Sequence, residues 1–97
     1  KAWSRYPSYA VSKSALESLT KILARAFAPS IRVNAIAPGL VLQSDVVTPE
    51  EWERLVGRLP LKRPARPEEI ASALEFLVRN EYVTGQTIVV DGGYSLV

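Results

Sequence analysis

Tyr9 and Lys13 stand four residues apart in the stretch Tyr9-Ala10-Val11-Ser12-Lys13, at the head of an apolar-periodic segment that runs to Phe27. On a helix, side chains at this spacing share one face. A phenol and an ammonium would therefore lie side by side. An unperturbed phenol titrates near ~10 and is inert as a base at neutral pH. A fixed positive charge beside it favours the phenolate and lowers that value, toward the pH at which a general acid or base works best. The ammonium keeps donors for the hydroxyls of a bound sugar. Alone, the pair also fits a solvated helix face, the commoner use of a Tyr and a Lys at this spacing. Residues downstream decide between the two.

The elements that must position this pair follow from pattern. Lys1 to Ser8 reads as a loop, with Pro7 blocking a helix before it and Ser4 or Ser8 available as a cap. From Tyr9 to Phe27 two apolar stripes run along one predicted helix: Leu16, Leu19, Leu23 and Ala26, then Val11, Ala15, Ser18 and Ile22. Two stripes predict cover on two sides, one by a sheet and one by a partner subunit. Pro29 ends the helix. Ile31 to Ile36 alternates apolar and polar residues and predicts a strand that stops at Ala37-Pro38-Gly39. Leu40 to Val47 is a loop. Thr48-Pro49-Glu50-Glu51 predicts a helix start with a capping box, carrying Trp52, Leu55 and Val56. A third helix opens at Glu68-Glu69, with Ile70, Ala73, Leu74, Leu77 and Val78 at i, i+3, i+4, i+7 spacing. Thr87 to Val90 is a second strand, stopped by Asp91-Gly92-Gly93, and Tyr94 to Val97 is a tail.

Helical connections between two strands predict a parallel pair. Two short apolar strands do not make a stable sheet. The expected fold is therefore α/β: the C-terminal half of a doubly wound, Rossmann-type parallel sheet, incomplete in this chain. A free-standing small α+β domain is the alternative.

Composition excludes several chemistries. The 97 residues contain no Cys and no His, so disulfides, thiolate or imidazole metal sites and a Ser-His-Asp triad within the chain are ruled out. The net charge of +2 is too small to argue for nucleic acid, and the densest basic run, Arg58 to Arg66, is broken by prolines. No apolar run reaches the roughly 18 residues of a membrane span.

Together these residues resemble the short-chain dehydrogenase/reductase family. Tyr9 and Lys13, with Ser12 before the lysine, look like its catalytic signature. The stretch IRVNAIAPG, Ile31 to Gly39, looks like its strand and loop after the catalytic helix. Thr84-Gly85-Gln86 and Val90-Asp91-Gly92-Gly93 look like its last strand and C-terminal turn. A narrower resemblance is to the pteridine reductases, through Ala28-Pro29, Pro38-Gly39-Leu40, Pro49 with Trp52, Pro60-Leu61 with Arg63, and the ending Val90 to Leu96. Where the family more often has a threonine, four residues after the glycine, this chain has Gln43 followed by Ser44.

The resemblance implies that residues 1–97 are the C-terminal part of one NAD(P)-binding domain. Its Gly-rich phosphate loop and third polar catalytic group would lie upstream of Lys1. It implies an NADP-dependent reductase of a pteridine, with NAD the alternative cofactor. A 3-oxoacyl-[acyl-carrier-protein] or other carbonyl reductase, or a non-catalytic oligomerising member, are the alternative functions. Tyr9 would exchange the proton. Lys13 would lower its pKa and bind the nicotinamide ribose. Pro38, Gly39, Val41 and Ser44 would meet the cofactor, and Trp52 and Leu40 would line the substrate pocket. Asn34 would be a structural hydrogen-bonder and Asp91 a turn or tail anchor. The expected protein is a cytoplasmic homotetramer, joined through the Tyr9 to Phe27 helix and the C-terminal strand, binding a small molecule and neither nucleic acid nor membrane. No metal is implied.

Overall fold

The computed structural model describes the backbone of residues 2–97 and the side chains of residues 10–97. The elements run α1 (Ala2–Phe27), β1 (Ala35–Pro38), α2 (Pro49–Arg58), α3 (Pro67–Arg79) and β2 (Thr87–Val90), with a 3-10 turn at Tyr94–Leu96. β1 pairs with β2. The Ala35 amide donates to the Gln86 carbonyl and the Gly39 amide to the Val90 carbonyl, so both strands advance together and the pair is parallel. The helices α2 and α3 lie in the connection between them, as expected of an α/β chain.

Two compact units make up the chain. The first comprises Lys1–Ala35 and Leu77–Ile88, the second Ile36–Phe76 and Val89–Val97. In the first unit, α1 turns one row inward: Thr20 and Ala24 are buried, with Lys13, Leu16, Glu17 and Leu23 half-buried beside them. Thr20 can sit there because its hydroxyl donates to the Leu16 carbonyl one turn back, at 2.6 Å. Gly85, at φ 76°, comes in close to the Ala24 side chain. The stripe of Val11, Ala15, Ser18 and Ile22 is exposed, as are Leu19 and Ala26. The expected cover on two sides is thus present on one within this chain.

Two boundaries differ from expectation. α1 begins at Ala2 rather than after a loop through Ser8. A proline removes a single backbone donor, and Pro7 does not stop this helix. The first strand begins at Ala35 rather than Ile31, because residues 31–34 are held by side chains instead of a ladder. The Arg32 guanidinium donates to the carbonyls of Leu77, Val78, Asn80 and Val83. Three of these lie at or just past the end of α3, where helix carbonyls lack intrahelical donors and a cation is favoured. Asn34 donates to the Val83 carbonyl and accepts from the Gln86 amide, the structural role expected of it. Val33 donates to the Thr84 hydroxyl and accepts from the Gly85 amide.

In the second unit Leu59 is fully buried, with Ala37 and Asp91. α2 starts where its capping residues predict. The Thr48 hydroxyl accepts from the Glu51 amide at 3.1 Å, and the same hydroxyl faces the Glu51 carboxylate at 3.4 Å. α3 turns Ile70, Ala73 and Leu77 inward but leaves Leu74 and Val78 exposed. Of the five apolar residues at helical spacing in α3, three are thus covered within this chain.

Candidate functional site

α1 is continuous through residues 9 to 13, so Tyr9 and Lys13 sit one helical turn apart on one face. Lys13 is half-buried and lies on the same row as Thr20 and Ala24. Its aliphatic stem thus runs along the covered side while its ammonium keeps three donors. The Tyr9 side chain lies outside the described residues.

The remaining predicted site residues belong to the second unit. Pro38 is the last residue of β1 and is exposed; a missing amide is tolerated at a strand end. Gly39 follows, donating to the Val90 carbonyl at 3.0 Å. A Cβ at position 39 would lie 2.7 Å from the Asp91 Cβ and 2.8 Å from its Cα. The need for glycine is therefore met inside the chain, by the close approach of Asp91. Leu40 is half-buried and its carbonyl accepts from the Ala65 amide at 2.8 Å. Val41 is half-buried. Gln43, at the position where threonine is more usual, donates to the Val47 carbonyl, and Ser44 is exposed. Trp52 is half-buried on α2. Lys13 thus stands in one unit, and the residues from Pro38 to Trp52 in the other.

Asp91 is the tail anchor expected of it, and it is also buried and close to the corner. Its Oδ1 accepts from the Gly93 amide at 2.9 Å and its Oδ2 from the Ser95 amide at 3.0 Å. The signal available was a carboxylate directly after an apolar strand and directly before two glycines. Near the corner, Arg63 and Glu69 form a two-pronged ion pair, both prongs at 2.8 Å. The Arg63 hydrogen bond, then the Arg66 amide, hold the Glu69 carboxyl down at about 2; the same pairing raises Arg63. A separate cavity of about 320 Å³ is lined by Ala28, Pro29, Ile31, Arg32, Glu81, Tyr82 and Thr84, and by none of the predicted site residues. Among the described residues, no three Asp or Glu side chains converge on a point that could hold a metal. Nor is any helix long and apolar enough to cross a membrane.

The family model described as Enoyl-(Acyl carrier protein) reductase matches residues 1–95. Among solved structures, the chain is similar to FolM alternative dihydrofolate reductase 1 from Brucella suis in complex with NADP. The two are 48% identical, with a TM-score of 0.83 over 93% of this chain and 36% of that one. The glucose 1-dehydrogenase of Gluconobacter oxydans is 40% identical over 98 residues, covering 94% of this chain and 37% of the relative. The short-chain dehydrogenase/reductase homolog YusR of Bacillus subtilis is 44% identical over 89 residues, covering 91% of this chain and 69% of the relative. The chain thus spans little more than a third of the first two and about two thirds of the third. Likeness of this depth, spread over nearly every residue rather than resting on one motif, makes the chain a member of the short-chain dehydrogenase/reductase family.

Proposed function

We propose that the protein carrying this chain is an NADP-dependent oxidoreductase that reduces a pteridine by hydride transfer. The observation that carries the reading is the likeness to FolM, a dihydrofolate reductase by name, crystallised with NADP. The pteridine ring is the part of dihydrofolate that a reductase reduces. In this reading residues 1–97 are the C-terminal part of a single NAD(P)-binding domain, and the Gly-rich loop and third polar group lie upstream.

The residues present fit a nicotinamide dinucleotide. Lys13, a half-buried residue, lies one helical turn from position 9, and the Pro38-Gly39 corner lies at the carboxyl end of a parallel strand, where open α/β sheets bind ligands. When bound, the dihydronicotinamide supplies a hydride to the electrophilic carbon of the substrate's C=N bond. The Tyr9 hydroxyl donates a proton to the nitrogen of that bond, and the phenolate left behind is reprotonated from solvent. Lys13 stabilises that phenolate and donates to the ribose hydroxyls. Pro38 and Gly39 would border the nicotinamide, and the Val41 backbone would hold its carboxamide. Ser44 supplies the hydroxyl that Gln43 does not. Trp52 and Leu40 form an apolar wall for the flat substrate. The exposed Val11, Ala15, Ser18 and Ile22 stripe of α1, together with the C-terminal strand, joins subunits into a tetramer.

A second reading, a 3-oxoacyl or other carbonyl reductase, is favoured by the likeness to a putative ketoacyl reductase of Streptomyces violaceoruber, 43% identical over 93 residues. Its proton step is the same, delivered to a carbonyl oxygen. NADPH oxidation by the whole protein separates the two, with dihydrobiopterin in one arm and a β-ketoacyl thioester in the other. Turnover with the pterin alone is expected; turnover with the thioester alone moves the assignment to the second reading. Tyr9→Phe is expected to lower kcat by about 10²- to 10⁴-fold with NADPH binding intact. Retained turnover in that variant defeats the role of Tyr9. A protein that binds no dinucleotide yet stays oligomeric is instead a non-catalytic member of the family.

A further inference from the structure

We propose that Asp91 is a positioning residue for the Pro38-Gly39 corner, transmitting to it the placement of the chain's last residues. The inference rests on the reading above, in which that corner meets the nicotinamide. Asp91 is only 9% exposed, and a carboxylate out of water must have its oxygens satisfied. Both are satisfied by backbone amides of the tail, Gly93 and Ser95, while the Asp91 carbonyl accepts from the Tyr94 amide at 3.0 Å. So bound, the carboxylate is anchored to the tail through both of its oxygens.

The anchored residue bears directly on the corner. The Asp91 Cβ and Cα occupy the place where position 39 would carry a side chain. The Gly39 amide is tied to the carbonyl of Val90, the residue before Asp91. One further segment closes the arrangement. Leu61 donates to the Gly92 carbonyl and Ala65 to the Leu40 carbonyl. Gly93 lies so near Pro60 that a Cβ there would fall 2.5 Å from the ring. The corner is thus gripped on one side by Asp91 and on the other by the segment from Leu59 to Ala65. The close approaches at Gly39 and Gly93 leave no room for a side chain at either position.

An ordinary tail anchor would affect stability alone. A positioning residue also affects how well the corner meets the cofactor, since a displacement of about 1 Å at a binding backbone costs up to ~10²-fold. The test uses the whole protein. Asp91→Asn keeps the shape and one acceptor but turns an amide donor toward the Ser95 or Gly93 amide. It is expected to raise the KM for NADPH about tenfold, with kcat within about twofold and the KM for the pterin unchanged. Ser95→Pro removes the amide partner of Oδ2 and leaves the carboxylate intact; the KM for NADPH is expected to rise about threefold. Ser95→Ala keeps that amide and is expected to match the parent protein. If Asp91→Asn does not fold, Ser95→Pro decides, because Ser95 is exposed.

A folded variant with lowered Tm and unchanged KM for NADPH overturns the proposal and makes Asp91 a tail anchor only. In that case turnover by the parent protein and its loss in Tyr9→Phe leave the assigned function standing. A parent protein that binds no NADPH in a fluorescence titration sinks both.

Discussion

The residues leading into the two strands and those leaving them are held by different chemistry. On the way in, side chains reach for backbone: Arg32, Asn34 and Thr84 engage carbonyls and amides of residues 33 and 77–86. On the way out, most contacts are backbone to backbone, and glycines let the chains touch: Gly39 on Asp91, Gly93 on Pro60, Gly92 tied to Leu61. The difference has a physical logic. Long polar side chains stabilise without demanding accurate placement of the backbone they bind. Glycine contacts fix backbone position closely, and the amides and carbonyls of the exit are largely engaged with one another. The carboxyl ends of such strands are where ligands bind. The lead-in governs stability, and the exit governs geometry.

The sharpest way to break that division is Arg32→Ala. It removes charge-assisted bonds to four carbonyls. A hydrogen bond to a charged group contributes about 1.5–3 kcal/mol, and the carbonyls left behind lose their partner. Chemical denaturation is expected to show a loss of about 2–4 kcal/mol with the KM for NADPH unchanged. Arg32→Lys should recover at most half, because one ammonium cannot span a fork of carbonyls. A large change in cofactor KM with stability intact would erase the distinction between the two ends.

How much of this was legible beforehand follows from the same contrast. The Thr48 cap and the second strand are local signals, and each appears where the residues predict it. The start of β1 was not legible. The alternation from Ile31 to Asn34 is that of a strand, but Arg32 binds the end of α3 and Asn34 the turn after it, 45 or more positions away in sequence. Thr20 was missed as core because a buried hydroxyl is unreadable until its partner, the Leu16 carbonyl, is placed on the same helix. Leu74 and Val78 show the opposite limit. Periodicity marks a face as apolar without saying which chain covers it, and within these residues nothing covers those two. At the corner, the Pro38-Gly39 pair was legible as a turn. The cause of its glycine was not, because Asp91 is 52 positions further on and no spacing rule connects them.

The same substitution at two glycines sharpens the comparison. Gly39→Ala must displace Asp91 or the corner itself, and overpacking of this kind costs typically about 1–3 kcal/mol. It is also expected to raise the KM for NADPH. Gly57→Ala, in α2 with nothing within 4 Å of the added carbon, is expected to stabilise by up to about 1 kcal/mol through helix propensity. Thermal melts of the two variants should therefore move in opposite directions. Equal shifts would mean that the exit is looser than its contacts imply.

The exit contains a charged clamp, and it gives the smallest expected effect. Arg63 and Glu69 lock the segment that carries Ala65, the donor to Leu40. Folding lowers the Glu69 carboxyl from its ordinary 4.5 to about 2. A depressed carboxylate stabilises the folded state above its unfolded value, and that contribution is lost as pH falls through the folded value. The clamp's contribution is thus complete above about pH 4.5 and fades between there and about pH 2. Both groups are partly exposed, so salt weakens the pair and its net contribution is small. Denaturation of the parent protein and of Glu69→Gln across this range isolates it, because the other carboxylates titrate alike in both. The stability difference is expected to be constant above pH 4.5 and to shrink on acidification. A difference that does not change with pH would show the clamp to be a plain hydrogen bond, and the exit would then depend on no charge from that pair.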